Sequence, residues 1–189
     1  MNKRTVSQST GFTLIELLVV ISIITLLVGI LLPAVVKVKQ TAIKTVCSSN
    51  LRQIGIAIMT YQDGNQHTFP RARYMPAPFI SSFQTDPALF TILADELPDD
   101  SKVYKCGGDN GYVHDLAGIS YTYNASLSGR KLDETWFARR LNFNVTEIPV
   151  AYDCDGNTFQ LEGDGQITVP AFHLHRNLLF ADGHVGNYQ

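Results

Sequence analysis

Histidine and aspartate side chains cluster near the C-terminus at spacings that suit a metal site. His173, His175 and Asp182 lie within ten residues, and a zinc site needs three or four such ligands converging on one point. Simpler explanations exist, because strand residues two apart share one face of a sheet and Asp182-Gly183 suits a tight turn. The sequence therefore predicts no metal here and leaves these three residues as candidates.

A second group of carboxylates has the ligand type that calcium prefers. Asp153 and Asp155 in DCDGN, with Asp164 in EGDGQ, offer oxygen ligands. The spacing does not complete an EF-hand loop, which needs a further acidic ligand and a glutamate at its twelfth position. Acidic segments rich in glycine are more often solvated turns. We therefore expect no cofactor, with calcium at Asp153 and Asp155 as the alternative.

The sequence contains no pattern typical of an enzyme or of a nucleic-acid-binding surface. It lacks Gly-x-Ser-x-Gly, a phosphate-binding loop and a dinucleotide fingerprint. Residues 64–189 carry nine Lys and Arg against fifteen Asp and Glu, whereas residues 1–63 carry six against two. Phosphate-backbone binding needs clustered cations. We therefore predict no catalytic residue and no requirement for nucleic acid.

An apolar run near the N-terminus is long enough to cross a bilayer. Residues 12–32 form this run, and at 1.5 Å per residue it covers a hydrocarbon core of about 30 Å. It contains Glu16, although a carboxylate within a membrane helix costs roughly 2.5–3.5 kcal/mol. A secretory signal has a shorter apolar region and a cleavage site after it, and a plain anchor explains neither Gly11 nor Glu16. Positive charges flank the run on both sides, which leaves its orientation open.

We expect the helix to continue beyond the apolar run, with a kink at Pro33, because proline removes a backbone hydrogen bond and clashes with the preceding turn. Further along, apolar residues recur at spacings of three and four, which places them on one stripe of an amphipathic helix. The helix should end near Asp63-Gly64-Asn65, where Gly and Asn favour a left-handed cap. The stripe consists of Ile43, Cys47, Leu51, Ile54, Ile58 and Tyr61.

Dense turn signals after residue 64 predict a small head domain built from short elements. Asp86-Pro87 predicts the start of a short helix, with Asp86 as its cap. Residues 130–146 fit no element clearly. Three stretches rich in β-branched and aromatic residues predict strands, and these are residues 103–106, 119–124 and 148–153.

The C-terminal sequence NLLFADGHVGNY predicts a β-hairpin. Asp182-Gly183 suits the positive φ angles of a two-residue turn. Alternate strand residues share a face, so Leu178 and Phe180 should point into the head and Val185 should complete the apolar patch.

Three cysteines permit one disulfide and one free thiol. Cys47 lies on the apolar stripe and Cys106 ends a predicted strand, so a Cys47–Cys106 bond would tie the helix to the head. A Cys106–Cys154 bond would tie two strands equally well. We predict the first pairing and leave the second as the alternative.

The N-terminal sequence GFTLIELLVVISII resembles the class III signal of type IV pilins and type II secretion pseudopilins, with Pro33 in register. The resemblance implies that prepilin peptidase cleaves after Gly11 and methylates the new N-terminus at Phe12. It also implies that Glu16 meets the N-terminus of a neighbouring subunit during assembly. The leader would lie in the cytoplasm and the head outside, giving a single-pass protein of the inner membrane.

The C-terminal sequence NLLFADGHV is similar to a pilin-like subgroup whose signature is a histidine, nine residues and Asp-Gly. Here His173 has eight residues before Asp182, and His175 has six. The Asp-Gly half of the signature is therefore present and the histidine half is altered.

We predict an α+β, pilin-like fold in which a long kinked N-terminal helix packs on a small antiparallel sheet. Its parts are a leader (1–11), a membrane and filament-core helix (12–33), an amphipathic continuation (34–63) and the head (64–189). The expected function is a subunit of a type IV pilus or secretion pseudopilus, and its partners are prepilin peptidase, other subunits and the membrane. The alternatives are a minor pilin that binds DNA, polysaccharide or a secreted substrate, and a membrane-tethered enzyme.

Overall fold

The computed structural model describes residues 12–80 and 85–187. The chain divides into two compact units, Met1–Gln40 and Thr41–Gln189. Gly11 and the predicted leader over residues 1–11 lie outside the described residues. The predicted α+β class, a long apolar helix followed by a small antiparallel head, is confirmed.

The first helix, α1, spans Leu14–Gly64 and continues without a break through Pro33. The kink at Pro33 stays a prediction. By length and composition, α1 is the one helix of the described residues that could cross a membrane. Its large apolar side chains between Phe12 and Val38 are 46 to 80 % exposed. This part of the helix therefore needs lipid or other chains to cover it.

Within the second unit, α1 contributes an apolar stripe to the core of the head. Cys47, Leu51, Ile54 and Ile58 are buried, and Ile43 and Tyr61 pack against the same core. The predicted stripe is thus confirmed, as is the end of the helix at Gly64.

The head contains a four-stranded antiparallel sheet and a separate two-stranded sheet. The strands of the larger sheet are β1 Tyr121–Tyr123, β2 Pro149–Asp153, β5 Leu178–Phe180 and β6 Val185–Gly186, and their order in the sheet is β1-β2-β5-β6. The predicted strands at residues 119–124 and 148–153 are confirmed as β1 and β2. The smaller sheet pairs β3 Thr158–Leu161 with β4 Gly165–Thr168.

The predicted strand at residues 103–106 is wrong, because Lys102–Tyr104 form a 3₁₀ helix. Ser101 caps it, since its hydroxyl oxygen accepts a hydrogen bond from the Val103 backbone N–H at 3.4 Å. Tyr104 and Cys106 are buried in the core. The apolar pattern that resembled a strand reflects burial of a tight turn.

The short helix after Pro87 is present as α2, Leu89–Ile92, but Asp86 does not cap it. Asp86 is buried and accepts a hydrogen bond from Arg71 Nε at 3.2 Å. A third short helix, α3, spans His114–Ala117. The unassigned residues 130–146 contain a 3₁₀ helix, Leu132–Glu134, and α4, Trp136–Leu141.

The C-terminal hairpin is present, and Gly183 adopts the expected positive φ of 84° in its turn. All three residues of β5 are buried, but the predicted inward face is wrong, because Leu179, rather than Leu178 or Phe180, joins the main core. Leu179 comes so close to α1 that a Cβ on Gly55 would lie 2.7 Å from Leu179 Cδ1. Val185 pairs with Leu179 and packs against this core, so it does not complete the predicted patch of Leu178 and Phe180.

Candidate functional site

Glu16 caps the first turn of its own helix. Its Oε2 accepts hydrogen bonds from the backbone N–H and the hydroxyl of Thr13, each at 2.8 Å. In return, Thr13 Oγ1 accepts a bond from the Glu16 backbone N–H at 3.2 Å. This is the reciprocal pattern of a capping box.

The Glu16 carboxylate, which caps the helix, can still bind a cation. Glu16 is exposed, and a carboxylate has about four acceptor positions on two oxygens.

In the head, a histidine and two aspartates form a buried cluster. His173 Nδ1 lies 3.6 Å from Asp153 Oδ2 and 3.4 Å from Asp155 Oδ2. The side chains of His173 and Asp153 have no exposed surface, and that of Asp155 is 3 % exposed. The other ring nitrogen, Nε2, lies 3.7 Å from Cys106 Sγ.

Asp153 ends β2 and is held by the chain that leads into β5. Its Oδ2 accepts two hydrogen bonds from Asn177, from the backbone N–H and from Nδ2, each at 2.9 Å. Among the described residues, its Oδ1 has no hydrogen-bond partner. Burial raises the pKa of Asp153 to about 6, and the bonds from Asn177 oppose this shift.

Asp155 has more partners and one charged neighbour. Its Oδ2 accepts from the backbone N–H groups of Phe172 and His173 at 2.9 and 3.0 Å. Its Oδ1 accepts from Arg176 Nε at 3.3 Å, and Arg176 also donates to the Asp155 carbonyl. Burial acts to raise the pKa of Asp155, but hydrogen bonds from His173 and Phe172 outweigh it and hold the pKa below its usual value.

The residues that the sequence offered as candidate metal ligands therefore lie in separate places in the structure. Asp153, Asp155 and His173 each offer one ligand atom within 4.8 Å of the others. Asp182 instead binds its neighbour, with 2.6 Å between Asp182 Oδ1 and His184 Nδ1. Burial acts to raise the pKa of Asp182, but the bonds from His184 hold it below its usual value. His175 is exposed.

The grouping of His173 with Asp153 and Asp155 differs from the grouping considered from the sequence. Sequence proximity favoured His173 with His175 and Asp182, whereas the pairing of β2 with β5 sets the actual neighbours. Asp164 belongs to the turn between β3 and β4, with a φ of 64°. Finding the cluster from the sequence would have required the prediction that β2 pairs with β5.

An open groove of about 920 Å³ lies beside the cluster. Asp155 and His173 form part of its wall, so the cluster adjoins a space open to solvent. The guanidinium carbon of Arg176 lies 5.7 Å from the centroid of the Tyr152 ring. The groove is also lined by Tyr74, Asn157, Phe159 and His175.

The disulfide joins Cys47 to Cys106, with the two Cα atoms 5.1 Å apart. This is the pairing that the sequence favoured, and Cys154 is a free, buried thiol. Burial raises the pKa of the Cys154 thiol, and the nearby Asp109, Asp155 and Asp153 add to the rise. A thiol in this environment is unreactive.

Residues 7–32 match the family described as the prokaryotic N-terminal methylation motif. This motif is the signal of type IV pilins and pseudopilins, so the predicted resemblance of the N-terminus is confirmed. The match does not reach the altered C-terminal signature. The comparisons with curated proteins and with solved structures found no match. The motif and the apolar helix together indicate a membrane-anchored, prepilin-like subunit.

Proposed function

We propose that the chain is cleaved after Gly11 by prepilin peptidase, methylated at Phe12, and polymerised through Glu16 into a type IV pilus or secretion pseudopilus. The head lies outside the cytoplasm and the leader inside, across the inner membrane. One observation carries this proposal: a carboxylate at the start of an exposed apolar helix, within the matched motif.

The proposed role of Glu16 follows from the cost of burying charge. Cleavage leaves an ammonium group at Phe12, and assembly places this group among apolar helices. A buried charge without a partner is prohibitively costly, whereas a paired one is tolerated. Glu16 of a neighbouring subunit supplies the opposite charge. Because such a pair adds little net stability, its main effect is to select the correct stagger between subunits.

The exposed apolar surface supports the same proposal. Side chains along the first part of α1 are too apolar to remain in water. The bilayer covers them before assembly, and the helices of neighbouring subunits cover them in the filament. The proposed role assigns no catalytic residue.

The test is to substitute Glu16 and count filaments. Glu16→Gln removes the charge, and we expect membrane insertion to be unchanged or improved while filament yield falls at least tenfold. Ser22→Ala is the matched control, since Ser22 is another polar residue of the same run and its hydroxyl donates to the Leu18 carbonyl of its own helix at 2.7 Å. Wild-type filament yield from Glu16→Gln would refute the counter-ion role.

A second candidate, a subunit that binds a polysaccharide, is favoured by the groove in the head. Aromatic rings and hydrogen-bonding side chains line it together, and such a mixture suits an uncharged polar ligand. Calorimetric titration of the full chain in detergent with soluble polysaccharides tests this function. Binding that His175→Ala weakens, and that Gln166→Ala on β4 does not, would support it.

A further inference from the structure

We propose that Asp153, Asp155 and His173 bind one divalent transition-metal ion of the zinc class, which fastens the end of β2 to the segment before β5. Nothing in the proposed filament function requires this ion. The site has a structural role in the head, and its test is independent of assembly.

The distances in the cluster are long for hydrogen bonds and fit the spacing between ligands of one metal ion. His173 Nδ1 lies almost equally far from the two carboxylate oxygens, at 3.4 and 3.6 Å. An N–H donor normally lies about 2.7–3.2 Å from a single acceptor. By contrast, ligands about 2.0–2.1 Å from a tetrahedral zinc ion are roughly 3.3 Å from one another.

The direction of the imidazole supports the same assignment. The Nε2 atom faces Cys106 Sγ, a weak acceptor that suits an N–H group. With the proton on Nε2, the lone pair of Nδ1 lies near two carboxylate oxygens, neither of which can donate a hydrogen bond to it when ionised. A cation between the nitrogen and the two oxygens removes the repulsion among them. Metal-binding histidines typically donate their second ring N–H to another group in this way.

Charge and burial favour a cation beside Asp153. Of the two carboxylates, Asp155 is paired with Arg176, whose side chain is about one-third exposed at the groove. Asp153 has no exposed side-chain surface, and its Oδ1 has no hydrogen-bond partner among the described residues. A buried polar atom without a partner is costly. A divalent ion bound by the Asp153 carboxylate would offset this cost and balance the charge of both carboxylates.

The ligand types select the class of ion. Calcium binds six to eight oxygen ligands, whereas this cluster offers two carboxylates and an imidazole nitrogen. Imidazole suits zinc, copper, iron and nickel. The groove beside Asp155 and His173 gives an ion its route in and leaves room for water as a fourth ligand.

The experiment uses the full chain in detergent, without a histidine tag and after removal of metals with EDTA. We expect the protein to bind one equivalent of Zn²⁺ in equilibrium dialysis. At about a hundredfold excess over the dissociation constant, the melting temperature should rise by roughly 5–10 °C. Ca²⁺ and Mg²⁺ should have no such effect. Substitution of Co²⁺ should give the intense visible absorption of a tetrahedral site.

Variants locate the ion. Asp153→Asn and His173→Gln should abolish the binding of one equivalent of zinc. The variants His175→Ala and Asp182→Asn should still bind it. If Asp153→Asn and His173→Gln fail to fold, the cobalt spectrum and the zinc stoichiometry of the wild-type chain still test the proposal. The proposal is overturned if wild-type protein binds less than 0.2 equivalents at about 10 µM free zinc, or if His175→Ala removes binding.

Discussion

Thr13 and Glu16 exchange hydrogen bonds across the first turn of α1, with the Glu16 carboxylate 2.8 Å from both the backbone nitrogen and the hydroxyl of Thr13. The group that we propose as the counter-ion for a neighbouring subunit therefore also caps its own helix. A capping residue stabilises a helix end by about 1 kcal/mol, so the two roles of Glu16 must be separated by experiment.

Substitution of Thr13 separates the helix cap from the charge. Thr13→Val removes the hydroxyl and keeps the carboxylate, and we expect it to weaken the first turn by about 1 kcal/mol while filaments still form. Glu16→Gln keeps a side-chain oxygen that Thr13 can bond, but removes the charge. The measurement is filament yield by electron microscopy for both variants in the same strain. Equal losses of filaments in the two variants would show that capping, rather than charge, is what assembly requires.

The parts of the fold that were predicted correctly depend on local signals. The spacing of Cys47, Leu51 and Ile54 along α1 has the helical period, and Asp182-Gly183 needs only the geometry of its own turn. A 3.6-residue period and a turn dipeptide are readable without tertiary contacts. The prediction of which hairpin face points inward was wrong, because the helix that covers Leu179 lies more than a hundred residues earlier in the chain.

The candidate site in the head depends on contacts that are distant in sequence. His173 meets Asp153 only because β2 pairs with β5, through partners such as Tyr152 and Leu178. Residues 103–106 were assigned as a strand because buried turns and strands share an apolar composition. The sequence therefore singled out Asp153, Asp155 and His173 as candidates but did not predict that these three meet.

The close approach of Gly55 to Leu179 makes a measurable prediction about packing. Gly55→Ala places a Cβ 2.7 Å from Leu179 Cδ1, whereas a Cβ on Gly64 has nothing within 4 Å. Both changes improve the helix propensity of α1, so the difference between the stabilities of the two variants reports the contact with Leu179. We expect Gly55→Ala to be less stable than Gly64→Ala by about 1–3 kcal/mol, the typical cost of overpacking.

Urea unfolding of the full chain in detergent, followed by near-ultraviolet circular dichroism, gives this comparison. If Gly55→Ala were as stable as Gly64→Ala, the packing of Leu179 against α1 would have to differ from that described here.

The cysteines give a prediction about covalent stabilisation. The Cys47–Cys106 bond joins residues 59 apart in sequence, and closing a loop of this length stabilises a fold by roughly 4 kcal/mol in the chain-entropy model. Cys47→Ser should therefore lower the free energy of unfolding by about that amount. Cys154 should react with a maleimide only after unfolding, because it is buried and its thiol pKa is raised.

Mass spectrometry of the wild-type chain checks the thiols. We expect no labelled cysteine in native protein and one labelled cysteine, Cys154, after denaturation without reductant. Labelling of Cys47 or Cys106 under denaturing, non-reducing conditions would contradict the disulfide.

The most direct test of the central claim is the N-terminus of the mature protein. If the chain is a prepilin, its processing site is Gly11, the glycine within the matched motif that immediately precedes the apolar run. Mass spectrometry of protein isolated from cells with active prepilin peptidase should find a chain that begins at Phe12 and carries one additional methyl group on its amine. Recovery of a chain that still begins at Met1 from those cells would contradict the account.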